Sequence, residues 1–372
     1  MLAPDYHFAV RRLRHHFIDA MTAHLDAVLD MPAFADPADQ TRGAALRAAT
    51  VGLHEVDAPD QDEDVPDLYF ALQRELERDH GETVGLIRVG LSRNDLDMTV
   101  YKMHGRELLL TQARSLLGLR RSLLNRAEMH LETVIIANTH HQPGQPTTVA
   151  HYLAAVEAQV ARDHERLVQA LERLNRCPLG AAALAGTSHP LDRQRTASVL
   201  GFDGPVENTY DAVASADWEL DLAAVASSIA LGLGRFVVDL LGWASHGWYR
   251  LDDGLVQGSS IMPQKRNPVA LEHARTRLSR VVGSAGLVAF SHHNIPFADL
   301  NDFGPDIQGA LLVQHRQLMG ALELVVACLE HGEFDEDGLK KAAALTDTTA
   351  TELADVLARE AGLSFPAAHK LV

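Results

Sequence analysis

The chain has 372 residues, 47% of them hydrophobic, with 33 basic against 50 acidic side chains and a formal net charge of −17. That length can bury a large core, and the acidic balance argues against nucleic acid or an anionic membrane as the main partner. The only cysteines, Cys177 and Cys328, have no C-x-x-C spacing and give neither a disulfide framework nor a thiolate zinc site.

At the N-terminus, Met1-Leu2-Ala3-Pro4-Asp5 shows no basic region followed by an apolar run, so no signal peptide is expected and the cytoplasm is the expected compartment. The Pro- and Asp-rich stretches Met31–Gln40 and Asp57–Asp64 predict loops around a helix Thr41–His54. Leu109, Ala113, Leu116, Leu117, Leu124 and Ala127 mark one face of a helix. Thr133–Ile136 is a short β-branched run, and little else reads as a strand. Leu153, Val156, Val160, His164, Leu167, Leu171 and Leu174 follow at helical spacing. Trp218–Ser245, Pro268–Phe290 and Asp306–Leu329 predict three more long helices. The most apolar stretch, Leu220–Trp243, is broken by Asp221, Arg235 and Asp239 and reads as a buried helix, not a membrane span. Five long amphipathic helices imply an all-α bundle, whose sites form from side chains on facing helices.

The densest chemistry sits in Gly258-Ser259-Ser260-Ile261-Met262-Pro263-Gln264-Lys265-Arg266-Asn267-Pro268. It packs two hydroxyls, an ammonium, an amide and free backbone N–H groups into one loop, where two prolines prevent an uninterrupted helix. Such donors suit an oxyanion. Ser92-Arg93-Asn94-Asp95, Thr139-His140-His141-Gln142-Pro143-Gly144-Gln145-Pro146 and Ala183–Thr187 with Leu191-Asp192-Arg193 complete the set. Arg93 beside an Asn amide offers paired donors to a carboxylate, although an ion pair with Asp95 or Asp97 would use the same guanidinium. The 20 histidines include no H-E-x-x-H, and no metal site is expected. His15-His16 and His292-His293 read as solvated or helix-end residues.

With these segments in this order, the sequence resembles the argininosuccinate lyase branch of the fumarase/aspartase superfamily, from about Val84 to Thr346. The resemblance implies a long central helical bundle (86–333) between smaller N-terminal (1–85) and C-terminal (334–372) helical domains, the last reached only partway at Val372. It implies a cytoplasmic homotetramer whose active sites are shared between subunits, with no cofactor. The implied reaction is β-elimination from a succinyl-amine, giving fumarate and a free amine. By the same resemblance Ser259 is the base, His140 the catalytic histidine and Glu272 the carboxylate orienting it, with acid and base interchangeable between Ser259 and His140. Lys265 and Asn267 match residues that hold the carboxylate bearing the developing charge. Ser92, Arg93, Asn94, Thr139 and Gln142 match residues that bind the succinyl carboxylates, and Ser260 and Met262 flank them in the loop. His141 is a neighbour, not a catalyst.

The leaving-group half departs from that pattern. Asp299 stands where the branch has Tyr, Gly304 where it has Gln and Ile307 where it has Lys, and Ser215-Ala216-Asp217 lacks the branch's Arg. The expectation is therefore a lyase acting on another N-substituted aspartate, with Asp299 facing its amine. The alternatives are a true argininosuccinate lyase with a divergent pocket and a non-catalytic homologue with a structural or binding role.

Overall fold

A computed structural model describes residues 3–59, 67–299 and 305–372, and its fold is all-α. The chain begins with α1 (Ala3–Arg12), α2 (Arg14–Leu29), α3 (Pro37–Gly52) and α4 (Leu68–His80). Asp36 accepts from Ala38 N at 2.8 Å and Pro37 takes the first helical position, so α3 starts four residues before the expected Thr41. From residue 60 onward, the expected loop Asp57–Asp64 lies outside the described residues.

Next come α5 (Arg93–Met129), a hairpin of β1 (Val134–Thr139) and β2 (Gln142–Thr148), and α6 (Val149–Leu174). The short α7 (Arg193–Val199) and α8 (Thr209–Ala214) precede α9 (Asp217–Ser245). Three short strands, β3 (Tyr249–Leu251), β4 (Gln257–Gly258) and β5 (Arg266–Asn267), lead to α10 (Val269–Ser291) and α11 (Pro305–Glu330). The chain closes with β6 (Gly332–Phe334), α12 (Glu336–Ala344), α13 (Ala350–Glu360) and α14 (Phe365–Leu371). All five long helices expected from periodicity are present. β2 is a strand that periodicity missed: Pro143, Gly144 and Pro146 read as loop, and most of its residues are exposed.

Two compact units divide the chain. One holds Met1–Gln112, Arg166–Ser227 and Gly283–Arg316, and the other Ala113–Glu165, Ser228–Val282 and Gln317–Val372. In the first, Gly105 on α5 lets α6 and α9 approach: a Cβ there would lie 3.0 Å from Leu174, 3.2 Å from Leu222 and 3.3 Å from Trp218. A mid-helix glycine costs roughly 1 kcal/mol against alanine, so this one is retained for packing. The same unit buries Glu219, which accepts from Gln308 Nε2 at 2.5 Å and meets His292 Nε2 at 2.9 Å. Both histidine pairs lie at helix ends as expected, His15 and His16 in the first turn of α2 and His292 and His293 just past α10, but His16 and the His292 side chain are buried and so are not solvated. In the second unit Ser228 donates to Asp163 at 2.6 Å, Ser122 donates to Glu330 at 2.7 Å, and the Tyr152 hydroxyl donates to Asp239.

Among the described residues α9 is the one helix long and apolar enough to cross a membrane. Leu222, Ile229, Leu233, Phe236 and Leu240 are buried, and Asp221 pairs with Arg173 at 2.6 Å, as a core helix would have it. Leu231 and Val238 on the same helix stay exposed.

Candidate active site

The Gly258–Pro268 loop is closed at its base by antiparallel pairing of β4 and β5, with Gln257 opposite Asn267 and Gly258 opposite Arg266. Arg266 fixes that base by donating to Leu251 O at 2.7 Å and pairing with Asp253. At the tip, Lys265 N donates to Met262 O at 3.0 Å around Pro263, a β-turn with proline at its second position. The turn aims two amides at one oxygen. Ser259 Oγ accepts from Met262 N at 3.1 Å and Ile261 N at 3.3 Å. Two backbone N–H groups on one hydroxyl oxygen form a small preorganised cradle for negative charge. Ser259 and Asn267 are half-buried, whereas Ser260, Met262 and Lys265 are exposed.

The β1–β2 hairpin carries the second segment, with a register shift between Ala137 and Asn138. Gly144 belongs there, since a Cβ would lie 2.9 Å from Ala137 O. Its two-residue turn is His140 (φ 52°) and His141 (φ 61°), flanked by the pair Thr139 and Gln142. Hairpin turns of this kind favour Asn-Gly, because each side chain in the left-handed region costs about 1–2 kcal/mol. Two histidines are held there against that preference, a backbone strain of the kind that clusters at functional sites. Thr139, His140 and Gln142 are exposed. Glu272 lies in the first turn of α10, also exposed, and among the described residues no hydrogen bond joins it to His140.

The third segment starts α5. Ser92 Oγ accepts from Asn94 N at 3.3 Å while Ser92 N donates to Asp95 Oδ1 at 2.9 Å, a reciprocal N-terminal cap. Asp95 Oδ2 accepts from Gly180 N at 2.8 Å and Ala182 N at 2.9 Å, and Asn94 Nδ2 donates to Ala183 O at 3.4 Å. Burial pushes the Asp95 carboxyl up to about 7, against the pull of those amides. Of the two uses open to Arg93, the structure shows the ion pair, with Asp97 and not Asp95: Nε lies 3.1 Å and Nη2 2.7 Å from its two oxygens. Asp67 adds a contact at 2.5 Å, and the guanidinium lies 5.0 Å from the Tyr69 ring centre. Burial works to lower the Arg93 pKa, but Asp97 and Asp67 outweigh it and raise it.

Asp97 is itself pushed up to about 6, by burial first, with Arg93 opposing and Asp67 and Asp299 adding. Asp299 is thus felt at the Arg93 cluster, and burial raises its own carboxyl. Its segment is anchored by Phe297 stacking on Tyr210 at 5.8 Å. Ile307 is buried on α11, Ser215 Oγ donates to Asp217 at 2.7 Å, and Gly304 lies outside the described residues. Sequence reading missed Asp67 and Tyr69. The available signal was local: Asp67 accepts from Phe70 N at 3.2 Å as the N-cap of α4, ahead of an aromatic pair.

The lyase family matches residues 70–283. The argininosuccinate lyase of Methanocorpusculum labreanum is 37% identical over 342 residues, covering 90% of this chain and 69% of the relative. That of Geobacillus thermodenitrificans is 36% identical over 308 residues, covering 82% and 67%. Among solved structures, EDDS lyase in complex with formate superposes with a TM-score of 0.88 at 28% identity, covering 97% of this chain and 71% of that one. Class II fumarase from Schistosoma mansoni, at 18% identity and a TM-score of 0.78 over 96% and 83%, shares the fold. The chain belongs to this lyase family, in the argininosuccinate-lyase-like branch of the fumarase/aspartase superfamily, and is a fumarate-releasing carbon–nitrogen lyase.

Proposed function

We propose that the chain cleaves an N-substituted aspartate other than argininosuccinate into fumarate and a free amine. The observation that carries the elimination chemistry is the pair of amides from Ile261 and Met262 on Ser259 Oγ, while the changed leaving-group residues carry the choice of amine. A serine hydroxyl is a poor base until its oxyanion is stabilised, and those amides, with Lys265 on the same loop, supply that stabilisation. Ser259 takes the proton from the carbon next to one carboxylate, and Lys265 and Asn267 hold the resulting doubly charged aci-carboxylate. The C–N bond then breaks, its electron pair leaves with nitrogen, and His140, oriented by Glu272, donates the proton that frees the amine. Ser92, Asn94, Thr139 and Gln142 bind the succinyl carboxylates, with Ser260 and Met262 beside them. Arg93, clamped by Asp97 and Asp67, holds the start of α5 and so positions Ser92 and Asn94 beside it. Asp299 faces the departing amine.

A second reading, argininosuccinate as substrate, is favoured by relatives of that name at 37% identity. Against it stand the changed residues of the leaving-group half. The loop, the hairpin turn and Glu272 are largely exposed in the single chain, which supports a homotetramer whose subunits complete each site together. Fumarate absorbance separates the readings when the protein is given fumarate with a panel of amines, and argininosuccinate in parallel. Consumption of fumarate with one amine, and no release of fumarate from argininosuccinate, is expected. Cleavage of argininosuccinate at the faster rate would establish the second reading. Ser259→Ala should lower turnover by about 10²–10⁴-fold without unfolding the chain.

A further inference from the structure

Three metal-ligating side chains converge on parts of α2 and α5 that carry none of the proposed lyase residues. His15 Nε2 lies 3.2 Å from Glu107 Oε1, His16 Nε2 lies 3.3 Å from Glu107 Oε2, and His104 Nδ1 is 3.8 Å from that same oxygen. One ligand atom from each of His15, His16 and Glu107 lies within 4.8 Å of the others. Ligand atoms about 2.0–2.1 Å from a tetrahedral ion stand roughly 3.3–3.4 Å apart, so a small inward turn of the half-exposed His15 and Glu107 side chains closes the set. The His15 and His16 rings lie 3.8 Å apart at a tilt of 43°, bringing both Nε2 atoms to the one carboxylate.

Burial supplies the second observation. His16 is 4% exposed and His104 2%, and among the described residues none of their four ring nitrogens has a hydrogen-bond partner. His16 Nε2 is within reach of Glu107 yet lacks the alignment an N–H donor needs. Buried polar atoms are nearly always paired, so the unpaired His16 Nε2, 3.3 Å from the Glu107 carboxylate, calls for a ligand. A cleft of about 530 Å³, lined by His15, His16 and Glu107 with Asp19 and His54, gives an ion its way in.

We propose that His15, His16 and Glu107 bind a borderline divalent cation such as Zn²⁺, clamping α2 to α5, with the fourth coordination position facing the cleft. Two imidazoles and a carboxylate suit Zn²⁺, Co²⁺ or Ni²⁺, whereas Mg²⁺ and Ca²⁺ take all-oxygen sets. Glu107 lies fourteen residues along α5 from Arg93, about 20 Å at helical rise, so the ion serves the N-terminal helices and takes no part in the elimination.

The test is calorimetric titration of the chelator-stripped full chain with Zn²⁺, alongside thermal melts with Zn²⁺ or Mg²⁺. One equivalent of Zn²⁺ should bind and raise the melting midpoint, and Mg²⁺ should do neither. His15 and Glu107 have half-exposed side chains, so His15→Ala and Glu107→Gln should fold. Each should weaken Zn²⁺ binding by roughly a hundredfold and abolish the shift in midpoint, with the metal-free melt unchanged. Zn²⁺ binding of wild-type strength in both variants would place the ion on other histidines, and no binding to the wild type would reduce the cluster to an ion pair. Either result overturns the proposal.

Discussion

Ser259 and Asp95 are both oxygens held by backbone amides, and their surroundings give them opposite tasks. Ser259 is half-buried with two amide donors on its Oγ, which suits the proton transfer proposed for it. Asp95 is fully buried with three donors, from Ser92, Gly180 and Ala182, and its work is to tie the start of α5 to the segment after α6. Asp95→Ala would leave those three amides without an acceptor and should cost about 3 kcal/mol, read by denaturant unfolding, since each buried orphan costs about 1–3 kcal/mol before relaxation. His24 gives a prediction in pH. Burial lowers its pKa to about 4 from an ordinary 6.5, opposed only by its bond to Val89 O at 2.9 Å. Because the folded value is the lower one, the unfolded chain binds more protons between pH 4 and 6.5. The stability this neutral ring contributes is present above pH 6.5 and is lost as pH falls towards 4, about 3 kcal/mol in all. His24→Gln should flatten that part of the stability-against-pH curve in the metal-stripped chain, and an unchanged slope would assign the acid lability to other groups.

The elements differ in how far they could be read in advance. The long helices α5, α6, α9, α10 and α11 each run beyond twenty residues, so an apolar face repeats often enough to be unmistakable. β2 offers no such signal, because it is largely exposed and carries two prolines and a glycine, and only its pairing with β1 makes it a strand. The candidate site divides the same way. Its loop was legible because all its donors lie within eleven residues, whereas the partners of Arg93 at Asp67 and of His292 at Glu219 come from distant chain positions. The hairpin turn yields a prediction that separates function from folding. His140 and His141 both have positive φ, so glycine at either position should stabilise the chain by up to about 1 kcal/mol. If His141 is only a neighbour, His141→Gly raises the melting midpoint and keeps turnover. His140→Gly should give a similar gain in stability and lose turnover. Equal loss in both would make His141 a participant in the chemistry.

At the scale of the whole molecule, apolar rows and the candidate site residues coincide in being exposed. Leu110, Leu117 and Leu124 recur every seven residues along α5, a spacing that keeps them on one helix face, and Leu231 and Val238 do the same on α9. Apolar rows of this kind mark association surfaces, and the proposed homotetramer would cover them. Leu117 is the most direct probe, at 47% exposure in the single chain. Glutamate on an exposed helix face changes monomer stability by no more than about 0.5 kcal/mol, but a carboxylate buried unpaired in an interface costs several kcal/mol. Leu117→Glu should therefore lower the sedimentation coefficient, leave helicity and the unfolding midpoint of the single chain nearly unchanged, and abolish turnover. Loss of turnover alone would not show that subunits share a site, and a mixing experiment does. Ser259→Ala and His140→Asn subunits, each inactive by itself, should recover part of the wild-type rate when dissociated and reassembled together, because some sites then draw Ser259 and His140 from different, intact subunits. Recovery requires both association and sharing. An active Leu117→Glu monomer, or a mixture as inactive as its parents, would return the whole site to a single chain.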